Sequence, residues 1–512
     1  MSTNTAIIAI ARSRQGRQTL LVAALSVVCM SASAYPTLGT PGARIVVDSV
    51  ADGLVPHFPG TPTVCTLRDA IVAANSNQAV GGCAGGTDIH LRRDHATGEF
   101  VADGIDVITF ELGKGTPVIK PHSALPPITE GVRIVGNSGG ATRVMLDGRR
   151  MLHRLGYPPP GLVVAGRYTS LEYLVVSGFS GGGIVLTEAS SDGGHLEPPF
   201  TPPDTEPELP EDRIADPCGP LGRPADPSQC DSPSAGGGMP KFPQPQPDRY
   251  GTHRIIGTFV GTDEAGGMAV GNGLGGTMDA GILVLASGNQ IGGPRAGEGN
   301  LVSGNHGHGL LLSGVNNSLV GNSIGRNAAG TLPLGNDLDG VRIEGGRFNG
   351  ATCELTGNHI AYNGGSGVFS GYNACLLGDN HISDNGALGI DVADPGVTAN
   401  NAIRQRPPNA PVLTRSEIVV GGSLLLPSTR VYGTVTHPGA APVRIDLFGN
   451  SSCDPSGHGE GESPLASATV NGSDSRNFSL LVRGVFFNNT FTATASLDGP
   501  GLRTTSEFSN CL

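Results

Sequence analysis

The chain has no tryptophan, and aromatics make up only 4% of its 512 residues. A cleft that processes sugar commonly uses flat aromatic platforms, a role that would fall here to tyrosine. Charge is sparse at 15%, and it is lopsided, with a formal net charge of −12. A chain this acidic does not suit a phosphate backbone, which excludes nucleic acid as an expected partner. Long apolar runs are missing as well. The stretch from Leu20 to Met30 falls short of the ~20 residues that cross a bilayer, so no transmembrane segment is expected in the mature chain. No two cysteines show the C-x-x-C spacing of a zinc or redox site.

What the chain has in excess is glycine, 80 residues, accompanied by 39 prolines. Glycine is costly inside helices, which excludes a helical bundle, and the absence of a three-residue period excludes collagen. At the N-terminus Arg12, Arg14 and Arg17 precede the apolar run, and Ala32-Ser33-Ala34 offers a small-residue cleavage site. Residues 1–34 therefore read as a Sec-type signal peptide, and the mature protein as secreted or held at the cell surface. Cys29 leaves with the signal. The remaining eight cysteines fall in four sequence-local pairs: Cys65 and Cys83, Cys218 and Cys230, Cys353 and Cys375, Cys453 and Cys511. An even number in an oxidising compartment reads as disulfides.

A repeat organises the middle. Gly309-Leu310-Leu311-Leu312, Ser318-Leu319-Val320 and Asn322-Ser323-Ile324 align without a gap on Gly367-Val368-Phe369-Ser370, Cys375-Leu376-Leu377 and Asn380-His381-Ile382. Such strands are too short to pair as hairpins, and one unit cannot bury its own aliphatics. Stacking the units at ~4.8 Å satisfies the backbone and builds a continuous core. The expected fold is all-β, a right-handed parallel β-helix; propeller blades would need ~40 residues and longer strands. In this register Cys353 and Cys375 hold the same place in successive rungs, ahead of Asn358 and Asn380, so they should be bonded neighbours. His359 then lies beside His381 on the outer face, where paired imidazoles are candidates for a metal or an acidic glycan.

Strand-like runs such as Ile105 to Phe110 and Leu171 to Val176 extend the β-helix over residues 105–405. A proline-rich insertion at 188–250 interrupts it; residues 191–250 alone hold 15 of the 39 prolines. This insertion reads as a loosely ordered excursion, clipped by Cys218 and Cys230 and open to proteases. Residues 35–104 form an N-terminal cap region. Residues 406–512 read as an Ig-like β-sandwich, with strands such as Val431 to Val435 and Val443 to Phe448 alternating with turns.

Cys65-Thr66-Leu67-Arg68-Asp69-Ala70-Ile71, ending Ala74-Asn75, resembles the opening of bacterial CSLREA-type β-helix proteins. Thr66 and Asp69 suit a helix start, and Leu67, Ala70, Ile71 and Ala74 share one apolar face. The resemblance implies a capping helix that plugs the open end of the stack. The repeats look like the pectin-lyase-like fold. Thr505-Ser506-Glu507-Phe508-Ser509-Asn510-Cys511, with Cys453-Asp454-Pro455, resembles the C-terminal module of the same proteins. The resemblance is specific for architecture and silent on activity.

Candidate chemistry is thin. Gly271-Asn272-Gly273-Leu274-Gly275-Gly276 fits a dinucleotide fingerprint, but no long helix follows. Gly307-His308-Gly309 with Arg342-Ile343 resembles two motifs of β-helical polygalacturonases. Hydrolysis of that kind needs paired carboxylates, and the unit upstream, Gly281 to Gln290, has none. Lyase chemistry needs calcium-binding acids and a base. Asp337 and Asp339 ahead of Arg342 are the candidates, with Asp391 and Asp394 beyond, and calcium enters as a cofactor only in that case. Asp454, Glu460 and Glu462 form an acidic loop without the alternating spacing of a calcium site. The reading is an extracellular interaction scaffold for polysaccharide or a cell-surface glycan; its rival is a polysaccharide lyase or glycoside hydrolase on the same fold.

Overall fold

The computed structural model describes residues 37–52, 63–94, 100–151, 158–188, 252–274, 279–344, 352–371, 374–392, 395–400, 408–420, 427–437, 439–472, 474–486, 490–499 and 502–512. These lie in one compact unit, Ser33–Leu512. The expected signal peptide, Cys218, Cys230, Asp394 and the insertion beyond Glu188 fall outside the described residues.

Three parallel sheets of nine, eight and seven strands run the length of the stack. In the first, Ile45, Ile108, Ile134, Leu171, Ile255, Ile291, Leu319, Leu355 and Leu377 stand in register. All nine are buried. The second sheet stacks Ile119, Leu146, Val176, Val260, Val302, Ile324, Ile360 and Ile382 in the same way. The third contributes two rows, an aliphatic one from Leu162 to Ile390 and one from Val164 to Val392 that is aliphatic except at Ser370. One aliphatic per short strand is enough, because the rows merge into one core, and each buried side chain is worth ~1.5–3 kcal/mol. The first sheet opens with Pro41–Val47, ahead of the cap helix and paired to Ile105–Phe110. Cap and solenoid are thus interleaved in sequence.

The asparagines of the repeat turn inward and hydrogen-bond one another. In the column Asn300, Asn322, Asn358, Asn380, each backbone N–H and each Nδ2 donates to the Oδ1 of the next residue at 2.9–3.0 Å. Asn272, Asn305, Asn336, Asn363 and Asn385 form a second column. Beside it run the glycines that open the third-sheet strands. A Cβ on Gly309 would lie 2.5 Å from Gly340 O and 2.8 Å from Asn336 Nδ2, so close approach, not backbone flexibility, requires glycine there. A third inward column begins with His253, Asn289 and Asn317 and continues as Cys353 and Cys375. Those cysteines are bonded, with Cα atoms 4.5 Å apart, as the register requires.

Both ends are closed. Helix Leu67–Ser76 starts at Thr66, whose hydroxyl accepts the Asp69 N–H at 3.2 Å, and Leu67, Ala70, Ile71 and Ala74 join the core. Cys65–Cys83 staples its start. Arg68 fixes it through Asp52 at 2.8 Å and the carbonyls of Ser123 and Ala124, and Asn75 through Pro127 and Thr129. At the other end two antiparallel sheets of three and four strands pack face to face around Val431, Ile445, Leu480 and Ala493. This is the expected sandwich, with Cys453–Cys511 tying its last residues. Its closing segment plugs the stack: Thr505 Oγ1 accepts the Leu377 N–H of the first sheet at 2.9 Å. Gly461 pairs with Ile382 of the second, and Glu507 accepts the Val392 N–H of the third at 3.2 Å. Phe508 enters the core, edge-on to Phe448 at 5.3 Å. Glu460 ends the second asparagine column by accepting Asn385 N–H and Nδ2 at 3.1 and 3.0 Å. The acidic loop thus supplies a terminal acceptor, and Glu462 takes the Ser451 N–H at 2.7 Å.

Candidate functional site

Chemistry concentrates on the outer face of the third sheet. Between its two inward rows runs an outward one: Val163, Val185, Leu283, Leu311, Arg342, Phe369, Asp391. The first four are aliphatic and form a small cluster of their own with Ala280 and Leu285. From Arg342 onward the row changes character. The Arg342 guanidinium lies over the Phe369 ring at 4.3 Å. Its Nη1 donates to Asp339 Oδ2 at 3.1 Å and its Nε to Glu344 Oε1 at 2.7 Å.

Asp339 and Asp391 meet through Ser366. The Ser366 N–H donates to Asp339 Oδ1 at 2.8 Å, and its hydroxyl donates to Asp391 Oδ2 at 3.3 Å. Both carboxyls are buried, at 7% and 3% exposure, but their surroundings differ. Burial alone would raise Asp339, yet the His308 imidazole, then the Ser366 N–H and the Arg342 guanidinium, outweigh it and hold the carboxyl below its usual range. His308 Nδ1 approaches Oδ2 at 3.3 Å. The same nitrogen lies 3.1 Å from the Asp339 backbone N. Asp391 is pushed up by burial, with Asp339 adding to the effect. Its Oδ2 also accepts the Gly396 N–H at 3.1 Å, while its Oδ1 is buried without a partner. The two carboxyls bridged by Ser366 are thus shifted in opposite directions by their different surroundings.

Of the residues singled out in the sequence, Asp339, Arg342 and Asp391 come together, with His308 against Asp339. Asp337 points elsewhere: its Oδ2 lies 3.1 Å from His306 Nδ1, and both side chains are more than half exposed, at 61% and 56%. Ser366 and Phe369 belong to the site without any signal in the sequence, since each looks like an ordinary repeat residue. His359 and His381 are neighbours on the second sheet, as the register requires, with rings stacked at 4.4 Å and 14°. Arg326 donates to His359 Nδ1 at 3.0 Å, and His381 Nδ1 lies 2.9 Å from Glu462 O. Burial, followed by His381 and Arg326, pushes His359 down to about 4. Each ring thus has Nδ1 engaged and turns its face, not its lone pair, to the other. Among the described residues no group of three or more His, Cys, Asp or Glu is placed to hold a metal ion, and no helix is long and apolar enough to cross a membrane.

Residues 278–406 match the family model described as the right-handed β-helix region, which covers the candidate site. Among solved structures, the enzymatically active domain of tailspike protein 4 of bacteriophage CBA120 is similar at 10% identity and a TM-score of 0.15. That alignment spans 80% of this chain and 64% of the tailspike chain, and so low a TM-score says nothing of function. No curated protein sequence gives a significant match.

Proposed function

We propose that this chain is a secreted or surface-held scaffold of the CSLREA type that binds extracellular polysaccharide along the outer face of its third sheet. The observation that carries this reading is the change in the outward row from aliphatic to Arg342, Phe369 and Asp391. Arg342 is the member of this group that reaches solvent, its side chain 28% exposed, with Phe369 under its guanidinium and Asp391 buried; a guanidinium held in place by carboxylates offers donors to hydroxyl-rich ligands. Rigid rungs would present it in a fixed geometry. Three disulfides among the described residues support an oxidising, extracellular setting.

One observation favours a second reading, catalysis. The low Asp339 and the high Asp391 have the split that glycoside hydrolysis exploits. Incubating the purified protein with a polysaccharide panel, with and without calcium, separates the two. Under the binding reading, a retained polysaccharide is released by Arg342→Gln and no reducing ends or unsaturated products accumulate; the Asp337→Asn protein, altered away from the cluster, still binds. Sustained turnover abolished by Asp339→Asn or Asp391→Asn replaces binding with hydrolase or lyase activity. Neither retention nor turnover of any polysaccharide ends both.

A further inference from the structure

Among the described residues, one edge strand of the sandwich has no partner on its outer side. Strand Val412–Val419 borders the three-stranded sheet and has one neighbour, Ser428–His437. At its start the Asn510 side chain covers the outer edge, accepting the Leu413 N–H at 3.0 Å and donating to Leu413 O at 3.1 Å. A bulge lies between Leu413 and Arg415. From Arg415 to Val419 the ladder is regular, and Ile418 and Val420 are 51% and 72% exposed. An edge strand in solution is normally blunted by charged side chains, proline, a bulge or a covering segment; here the bulge and Asn510 blunt only the start of the strand. Residues 412–420 contain neither lysine nor proline.

The charges on this edge are self-complementary. Arg415 and Glu417 flank Ser416 and bond each other at 2.6 Å. The Arg415 guanidinium lies over the Tyr432 ring at 3.6 Å, and the Tyr432 hydroxyl donates to Glu417 Oε1 at 2.6 Å. If two copies pair antiparallel about Ser416, each Arg415 faces the other copy's Glu417 and each Thr414 faces Ile418. Any shift by a residue loses that charge match.

We propose that this edge is a homodimer interface, in which the 414–418 segments of two copies pair about a two-fold axis at Ser416 and join their three-stranded sheets. An isologous contact of this kind closes on itself and does not propagate into fibres. It rests on the sandwich alone and is independent of what the third-sheet site does.

The test is sedimentation of the full chain over a wide range of concentration. A monomer–dimer equilibrium is expected. Arg415→Glu or Glu417→Arg alone should weaken dimerisation by about tenfold, since like charges then face across the pair. The double swap R415E/E417R restores the complement and should restore the dimer. A chain monomeric at every concentration overturns the proposal, as does a dimer indifferent to both single reversals. If a single reversal fails to fold, the double swap decides: a dimer supports the pairing and a monomer overturns it.

Discussion

His253 stands in the column that Asn289 and Asn317 continue, 1% exposed, its ring buried against the Thr187 backbone. Burial pushes its imidazole from 6.5 down to about 4. The unfolded chain therefore binds a proton that the folded one refuses throughout that window. Stability is full above pH 6.5, falls as the pH drops, and stops falling below about 4. The loss amounts to about 3 kcal/mol. His253→Asn puts an amide where the ladder wants one. Urea unfolding of the variant between pH 4 and 7 should show a clearly shallower decline than the native chain, the remainder coming from groups such as His359; equal slopes would assign the effect elsewhere. Nothing in the sequence marks this histidine. It sits next to the insertion, where the repeat is broken, and its place in the column is visible only once Arg254 is paired to Gln290.

The asparagine columns show what was legible and why. Successive members of one column are 22, 36 and 22 residues apart. Where two neighbouring rungs are equally short, equal spacing fixes the register, and it sets Cys353 beside Cys375 and His359 beside His381. Where the turns lengthen, periodicity disappears. Asp339 reaches Ser366 across 27 residues and Ser366 reaches Asp391 across 25, so the acids of the candidate site could be named but not joined. The same columns make a prediction about the bond at Cys353. Replacing both cysteines by alanine should cost ~3 kcal/mol from loop closure alone. The C353N/C375N protein extends the ladder and should lose measurably less in thermal unfolding than C353A/C375A. Equal losses would mean that the column tolerates no substitute for the disulfide.

At the scale of the molecule, the motifs that looked most like signatures turn out to be closures. Every residue from Cys65 to Ile71 that carried the resemblance either caps, staples or fills the N-terminal end, and Thr505 to Phe508 do the same at the other. Phe508→Ala opens the plugged core, with an expected cost of ~3–5 kcal/mol. It should increase dye binding to exposed apolar surface more than Phe478→Ala, which empties only the sandwich core. Comparable dye binding by the two variants would separate Phe508 from the plug. The asparagine columns add a constraint on growth. Each amide donates toward the C-terminus, so the amide pattern is vectorial, and its last donors at Asn385 are met by Glu460. A coil duplicated inside the column meets the same donors and acceptors as its neighbours. A coil appended after Asn385 has to displace that carboxylate. The solenoid can therefore lengthen by internal duplication, while a carboxylate terminus bars it from joining a second solenoid end to end.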